Sequence, residues 1–274
     1  MESFEKKKNL EFKTETIRTP EGNEVSFSPD RGGIITSLKL EGEEILYFDS
    51  ETFKNTETNV KGGIPILFPN AGPIPDEIKT EELKNLKQHG FARDSRFTAE
   101  KIRNGFKETL TSNEETKKVY PYDFNFELEG IFEDDGSFTI TQTVENMEKD
   151  NEMPISSGLH PYFKVPSTEK KNIKFNFEGG KEIEEKVEIW TNGKAVSVTN
   201  PNTPIEIYIP KLGTLVITAS KEYKRIWGWS QEGKDFVCVE PVMNDKGGII
   251  TNPEKIKPNE KHISKVNLLL KKEI

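Results

Sequence analysis

The chain has 274 residues, with 39 lysines and arginines against 47 aspartates and glutamates, and a net charge of −8. Because the acidic excess is spread along the chain, we expect no nucleic-acid partner, and no apolar run has the length of a signal peptide or a membrane span. The single cysteine, Cys238, excludes an internal disulfide and a multi-cysteine metal site. Seventeen phenylalanines, six tyrosines and three tryptophans can supply a core. We therefore expect one globular, cytoplasmic domain over residues 1–274.

Short segments with alternating apolar and polar residues recur along the chain. Examples are residues 24–28, 137–144 and 173–177. A period of two with β-branched and aromatic residues predicts half-buried strands. Glycine-containing turn signals separate such segments, and they are found at residues 41–43, 134–136, 192–193 and 231–234. This pattern favours an all-β, antiparallel fold with few short helices.

Residues 61–75 combine glycines and prolines with a short apolar core. Proline cannot donate to a sheet and glycine packs without a side chain, so we expect a rigid, loop-bounded strand that another group can approach closely. Asn70 in this segment is a candidate substrate-binding residue. The alternative interpretation is a bent edge strand with no binding role.

The spacing over residues 80–87 predicts two helical turns with Thr80 as the N-cap. His89 follows directly, beside a glycine, and can present its ring to a cleft. Its ordinary pKa of about 6.5 suits hydrogen bonding or proton exchange near neutrality. Arg93 can hold an oxyanion or a sugar hydroxyl. The alternative is a surface histidine next to an arginine that pairs with Asp94.

His160 lies among small and aromatic residues in the segment 156–163. Aromatic rings such as that of Tyr162 can form an apolar wall against a sugar face, while burial lowers the pKa of an imidazole and tunes it as a proton donor. The alternative is a core histidine with satisfied hydrogen bonds. Pro161 argues against that alternative, because proline is typical of the end of a strand.

Glu240 follows residues 235–239, a segment apolar enough to be a central strand, and Pro241 is expected to end that strand. A partly desolvated carboxylate has a raised pKa and is a better base. The alternative is a solvated glutamate at a strand end. His89, His160 and Glu240 lack the sequence spacing of metal ligands, and no glycine-rich phosphate loop or nucleophile motif is present, so we expect neither a metal nor a nucleotide site.

With these segments in view, the chain resembles the aldose 1-epimerase, or galactose mutarotase, superfamily, in particular its bacterial branch, which is also similar to hexose-6-phosphate 1-epimerases. Four motifs carry the resemblance in the family's order and approximate spacing. They are GGIPILFPNAGP at 62–73, QHGFARD at 88–94, SGLHPYFKVP at 157–166 and FVCVEP at 236–241. The resemblance covers nearly the whole chain.

The resemblance implies an antiparallel β-supersandwich with the site in a cleft on one sheet. It also implies interconversion of the α and β anomers of an aldohexose or a hexose phosphate, without a cofactor. Glu240 matches the family's base, which takes the proton of the anomeric hydroxyl, and His160 matches the acid, which protonates the ring oxygen. His89 matches the second histidine, which hydrogen-bonds the sugar.

Two departures from the family pattern concern the substrate. Many members have a basic residue where this chain has residues 70–73, and no residue here matches the acidic sugar-binding residue of the galactose-specific enzymes. Arg93, Asn70 and Tyr162 are the expected substrate contacts, and a guanidinium can bind phosphate through two hydrogen bonds. The alternative function is a non-catalytic carbohydrate-binding or regulatory protein on the same fold. A β-sandwich lectin ranks third, and the oligomeric state is open.

Overall fold

The computed structural model describes residues 11–185 and 195–272. Within these ranges the chain forms twenty β-strands and four short α-helices. The strands are β1 Glu15–Arg18, β2 Glu24–Ser28, β3 Ile34–Leu40, β4 Glu43–Glu44, β5 Ile66–Leu67, β6 Thr98–Ile102, β7 Gly105–Thr111, β8 Phe124–Phe132, β9 Phe138–Asn146, β10 Met153–Ile155, β11 Gly158–Leu159, β12 Tyr162–Lys164, β13 Lys174–Asn176, β14 Val196–Thr199, β15 Ile205–Ile209, β16 Gly213–Ala219, β17 Arg225–Trp229, β18 Phe236–Val242, β19 Glu254–Ile256 and β20 Lys261–Lys271. The helices are α1 Ser50–Lys54, α2 Glu114–Lys117, α3 Gly180–Glu185 and α4 Gly248–Thr251, and short 3₁₀ helices span Pro29–Arg31, Asp76–Ile78, Ala92–Asp94 and Ser167–Asn172.

The strands form two large and two small antiparallel sheets. An eight-stranded sheet has the order β13-β15-β16-β20-β9-β8-β7-β6, and a six-stranded sheet has the order β14-β17-β18-β11-β5, with β12 also paired to β18. A four-stranded sheet, β1-β2-β3-β4, and a two-stranded sheet, β10-β19, complete the described fold. All-β, antiparallel architecture with few short helices, as expected from the alternation of residues, is confirmed.

The two large sheets share one hydrophobic core. Strand β8 alternates buried and half-buried residues along its whole length, which is the burial pattern of a strand with one face on the core. Phe126 of β8 packs against Phe68, which follows β5, with ring centroids 4.8 Å apart. Val237 and Val239 of β18 belong to the same buried cluster, which extends from Val25 to Leu270. The side chains that alternate with these valines therefore lie on the opposite face of β18, away from this core.

The turn predictions agree with the structure wherever the structure describes them. Residues 41–42 join β3 to β4, residues 133–137 join β8 to β9, and residues 230–235 join β17 to β18. The predicted turn at residues 192–193 lies outside the described residues. Among the described residues, no helix is both long and apolar enough to cross a membrane. A single domain over residues 1–274 stays a prediction.

The helix predicted over residues 80–87 is wrong. The segment forms consecutive turns, with hydrogen bonds from the Leu83 amide to the Thr80 carbonyl and from the Leu86 amide to the Leu83 carbonyl. Both leucines are buried. Apolar residues three positions apart fit a succession of tight turns as well as an α-helix, so their spacing did not distinguish the two.

The end predicted for the central strand at Pro241 is also wrong. Strand β18 continues to Val242, and Pro241 pairs with Ile226 of β17. Within an antiparallel sheet, each residue donates its N–H toward one neighbour only, so proline removes one hydrogen bond and leaves the other ladder intact. Glu240 therefore lies inside a hydrogen-bonded strand.

Glu108 of β7 is a fully buried acid in the core. Neither carboxylate oxygen has a hydrogen-bond partner among the described residues. Burial, with a smaller contribution from Glu15, raises the pKa of Glu108 to about 8. Because an isolated buried charge is costly, the carboxyl is protonated at neutral pH. Folding therefore takes up a proton at this site.

We expect the contribution of Glu108 to the free energy of unfolding to fall as pH rises from about 4.5 to about 8, where the folded Glu108 retains a proton that the unfolded chain has lost. The slope from this group is at most about 1.4 kcal/mol per pH unit. Glu108→Gln should remove that slope, as measured by urea unfolding at several pH values. Glu129→Gln, at a half-exposed position on the adjacent strand, is the matched control. Parallel curves for wild type and Glu108→Gln would contradict the assignment.

Candidate active site

The register of the six-stranded sheet brings His160 and Glu240 together. Tyr162 of β12 lies opposite Cys238 of β18, and Gly158 of β11 lies opposite Val242 in the same register. His160, between β11 and β12, is therefore opposite Glu240. Side chains two residues apart on a strand share a face. His160 Nε2 lies 3.5 Å from Glu240 Oε1, and the two side chains are almost fully buried.

Aromatic residues surround the pair on the same face. Trp227 and Trp229 of β17 lie opposite Glu240 and Cys238. The Tyr162 ring stacks on His160 with a centroid distance of 4.6 Å, and the Trp229 ring meets His160 edge to face at 5.9 Å. These rings form an apolar wall of the kind that packs against sugar faces.

His89 reaches the same place from a separate loop. Its ring centroid is 5.6 Å from that of His160. The Gly72 amide donates to His89 Nδ1 at 3.0 Å, and the His89 amide donates to the Gly72 carbonyl at 3.1 Å. Since a backbone N–H can only donate, Nδ1 is the acceptor and Nε2 carries the proton. His89 is thus held as a hydrogen-bond donor at Nε2, which lies 3.1 Å from the side-chain amide of Gln88.

The His89 loop is tightly constrained. His89 has a φ of 66°, in the left-handed region that residues other than glycine rarely adopt. At Gly90, also left-handed, a Cβ would come within 2.0 Å of the Phe68 carbonyl oxygen. A Cβ at Gly72 would come within 2.8 Å of the Trp227 ring. Glycine at these positions lets the loop lie directly against the sheet.

Asn70 lies behind this loop and does not line the cleft. It is fully buried, and its side-chain amide donates to the Gly72 carbonyl at 2.7 Å. This contact supports the loop that orients His89. The predicted contact between Asn70 and a substrate stays a prediction, and the geometry gives the residue a supporting position.

Arg93 lines the cleft from the 3₁₀ helix Ala92–Asp94. Its Nη2 donates to the Gln88 carbonyl at 2.9 Å. Asp94 does not hold it, because that carboxylate forms an ion pair with Arg31 at 2.7 Å. The guanidinium of Arg93 is therefore available to the cleft, and its expected contact with a substrate stays a prediction.

These groups line one cleft with a volume of about 600 Å³, within the range typical of small-molecule sites. His89, His160, Glu240, Arg93 and Tyr162, five of the six predicted site residues, line it. Further residues with polar or charged side chains line the rim of the cleft. They are Asn59, Lys61, Gln88, Gln231 and Lys246.

Burial shifts the titration of the three central groups. It raises the pKa of Glu240 well above the ordinary carboxyl value. Burial first, and then the positive charge of Arg93, lowers the pKa of His160 to about 3. Burial and the proximity of His160 lower the pKa of His89 well below its usual range. Each group favours its uncharged form, so His160 and Glu240 together hold one proton near neutrality.

Sequence reasoning missed the two tryptophans and the rim lysines. Trp227 and Trp229 alternate with Gly228 on β17, and this period of two already places both rings on one sheet face. Lys61 precedes the glycine pair of the first motif, and its Nζ donates to Gln231 Oε1 at 3.0 Å across the rim. Lys246 lies in a turn and has no comparable sequence signal.

Comparison with known proteins agrees with this geometry. The family model for aldose 1-epimerase matches residues 13–207. A protein of Escherichia coli (strain K12) named "Putative glucose-6-phosphate 1-epimerase" is 26% identical over 243 residues, covering 77% of this chain and 76% of its own length. A solved structure from Synechocystis sp. PCC 6803 has a TM-score of 0.84 at 25% identity and covers 100% of both chains. The galactose mutarotase related enzyme from Lactobacillus acidophilus has a TM-score of 0.76 at 20% identity, covering 95% of this chain and 98% of its own, which shows the shared fold. The chain belongs to the aldose 1-epimerase family.

Proposed function

We propose that the protein interconverts the α and β anomers of an aldohexose, with a phosphorylated hexose as the preferred substrate. The observation that supports this best is the contact of 3.5 Å between His160 Nε2 and Glu240 Oε1 on one wall of the cleft. Ring opening and closure require one acid and one base that both change protonation state in each step. A carboxyl and an imidazole that share one proton meet that requirement.

The ring opens from the form of the pair in which Glu240 is a carboxylate and His160 is an imidazolium. Glu240 takes the proton from the anomeric hydroxyl, and the O–H electrons form the aldehyde carbonyl. The bond between C1 and the ring oxygen breaks, and its electron pair accepts the proton from His160. The products are an open-chain aldehyde, a protonated Glu240 and a neutral His160, which is the form that burial favours.

Closure on the other face of the carbonyl reverses these transfers. After rotation about the C1–C2 bond, neutral His160 accepts the proton of the attacking hydroxyl and Glu240 returns its proton to the carbonyl oxygen. His89 stays neutral and donates from Nε2 to a substrate oxygen, where it stabilises developing negative charge. The proton count of the pair is the same before and after turnover, so no cofactor is needed.

Glu240→Gln and His160→Gln should each reduce catalysed anomer exchange by about 100-fold to 10,000-fold, because each removes one proton carrier. The double variant should lose little more, since the two residues act as a unit. NMR magnetisation transfer between anomers, corrected for the spontaneous rate, measures this. Glu108→Gln, a buried glutamate outside the cleft, is the matched control. Undiminished exchange in both single variants would reject the proposal.

The pH profile should lack an inflection near 6.5. Activity requires one proton on the pair, so it should fail at low pH, near 3, where His160 also becomes protonated, and at high pH, where Glu240 loses the shared proton. Between these limits kcat/KM should be flat. Glucose is the substrate for this measurement, because it lacks a titrating phosphate. An acid limb centred on the ordinary histidine pKa would contradict the shared-proton scheme.

The charges of the cleft favour an anionic substrate. Among the described residues that line it, Lys61, Arg93 and Lys246 are cationic and Glu240 is acidic. Arg93 Nε is buried and has no hydrogen-bond partner among the described residues. A phosphate can accept such donors. The name of the Escherichia coli relative points to the same substrate class.

Arg93→Gln and Lys61→Gln should each raise the KM for glucose 6-phosphate by about tenfold or more, because each removes a charge-assisted hydrogen bond. The KM for glucose should change little. Lys84→Gln, on an exposed turn outside the cleft, is the control. An equal rise in KM for both sugars would show that these two side chains do not bind the phosphate group.

The alternative of a non-catalytic sugar-binding protein gives a different result in the same experiments. Saturable binding of glucose 6-phosphate, followed by the fluorescence of Trp227 and Trp229, without faster anomer exchange would favour it. Since Trp229 meets His160 edge to face, a ligand on the pair should change that fluorescence in either case.

A further inference from the structure

Three buried side chains with metal-binding atoms converge below the aromatic wall. One ligand atom from each of His160, Cys238 and Glu240 lies within 4.8 Å of the other two. Cys238 and Glu240 share a face of β18, and the register opposite Tyr162 adds His160. Hydrogen-bonded strands therefore fix these three positions, although the spacing along the sequence showed no sign of a metal site.

Two atoms of this cluster are left over by the proton exchange proposed above. His160 Nδ1 and Glu240 Oε2 are buried and have no hydrogen-bond partner among the described residues. Buried polar atoms rarely lack a partner. Cys238 adds a free, buried thiol. The described residues thus leave buried polar atoms unsatisfied directly beside the nitrogen and the oxygen that share the proton.

The donor types indicate which cation fits. Zn²⁺ binds thiolate sulfur at about 2.3 Å and imidazole nitrogen or carboxylate oxygen at about 2.0–2.2 Å, whereas Mg²⁺ and Ca²⁺ prefer oxygen ligands. Ligand atoms around a tetrahedral Zn²⁺ are about 3.3–3.8 Å apart. The contact of 3.5 Å between His160 and Glu240 lies in that range, and the limit of 4.8 Å on all three separations requires a contraction of about 1.5 Å at most.

We propose that His160, Cys238 and Glu240 bind Zn²⁺, or a cation with the same ligand preference, and that the bound ion stops anomer exchange. Three protein ligands leave a fourth position for water or another ligand. The ion takes the nitrogen and the oxygen that share the proton, so the inhibition rests on the proposed function. The binding of the ion does not depend on that function.

Binding forms one bond each to sulfur, nitrogen and oxygen, and it releases the protons of the thiol and the carboxyl to solvent. Because protons leave when the ion binds, the affinity should increase with pH.

Co²⁺ is the direct probe of the site, because a thiolate ligand gives it a charge-transfer band in the near ultraviolet and tetrahedral coordination gives intense visible bands. We expect wild-type protein to develop both at one Co²⁺ per chain. Cys238→Ala should lose the charge-transfer band and bind at least tenfold more weakly, and Cys238→Ser serves if alanine destabilises the core. Absence of the band in wild type, or its persistence in Cys238→Ala, would overturn the proposal.

Measurements of anomer exchange test the proposed inhibition separately from the proposed function. In metal-free buffer Cys238→Ala should exchange anomers within about twofold of wild type, because the thiol has no part in proton transfer. Zn²⁺ should inhibit anomer exchange by the wild type, and a chelator should restore the activity. The Cys238→Ala variant should need at least tenfold more Zn²⁺ for the same inhibition. Equal Zn²⁺ sensitivity in both would overturn the proposal while anomer exchange stands. A cobalt–thiolate band without anomer exchange in any variant would support the metal site and reject the function.

Discussion

The site depends on one antiparallel register, in which Tyr162 of β12 lies opposite Cys238 of β18. A shift of one residue would turn every side chain of β12 to the other sheet face. Val237 and Val239 oppose such a shift, because they hold the other face of β18 in the main core. Core packing therefore fixes the position of His160 relative to Glu240, and the geometry of the cleft follows from the register of the sheet.

The same effect of burial on a carboxyl group has different consequences at two places in this fold. Glu108 and Glu240 both lie in apolar surroundings that raise the carboxyl pKa. Glu108 is enclosed among core side chains, so its retained proton only makes folding sensitive to pH. Glu240 borders a cleft and lies 3.5 Å from the second titratable group, His160. A raised pKa thus becomes useful only where a second titratable group and access for a ligand accompany it.

Much of this could be predicted from the sequence, because each signal was local. Alternation of apolar and polar residues indicated the antiparallel fold, and the small and aromatic neighbours of His160 and Glu240 marked both as candidate site residues. What the sequence did not give has other causes. Residues 80–87 have a spacing shared by turns and helices, and Asn70 lies in a motif whose depth below the surface no local pattern reveals. The convergence of Cys238 with the proton pair depends on strand register, which single-sequence periodicity does not contain.

The reactive groups and the rim differ in the structures that carry them. His160 and Glu240 are held by paired strands, whereas Lys61, Gln231 and Lys246 lie in loops and turns. Loops accept substitution and changes in length far more readily than a central strand does. Under the proposed function, selection or an engineer can therefore change which sugar binds by altering the rim alone, with His160 and Glu240 left untouched beneath it.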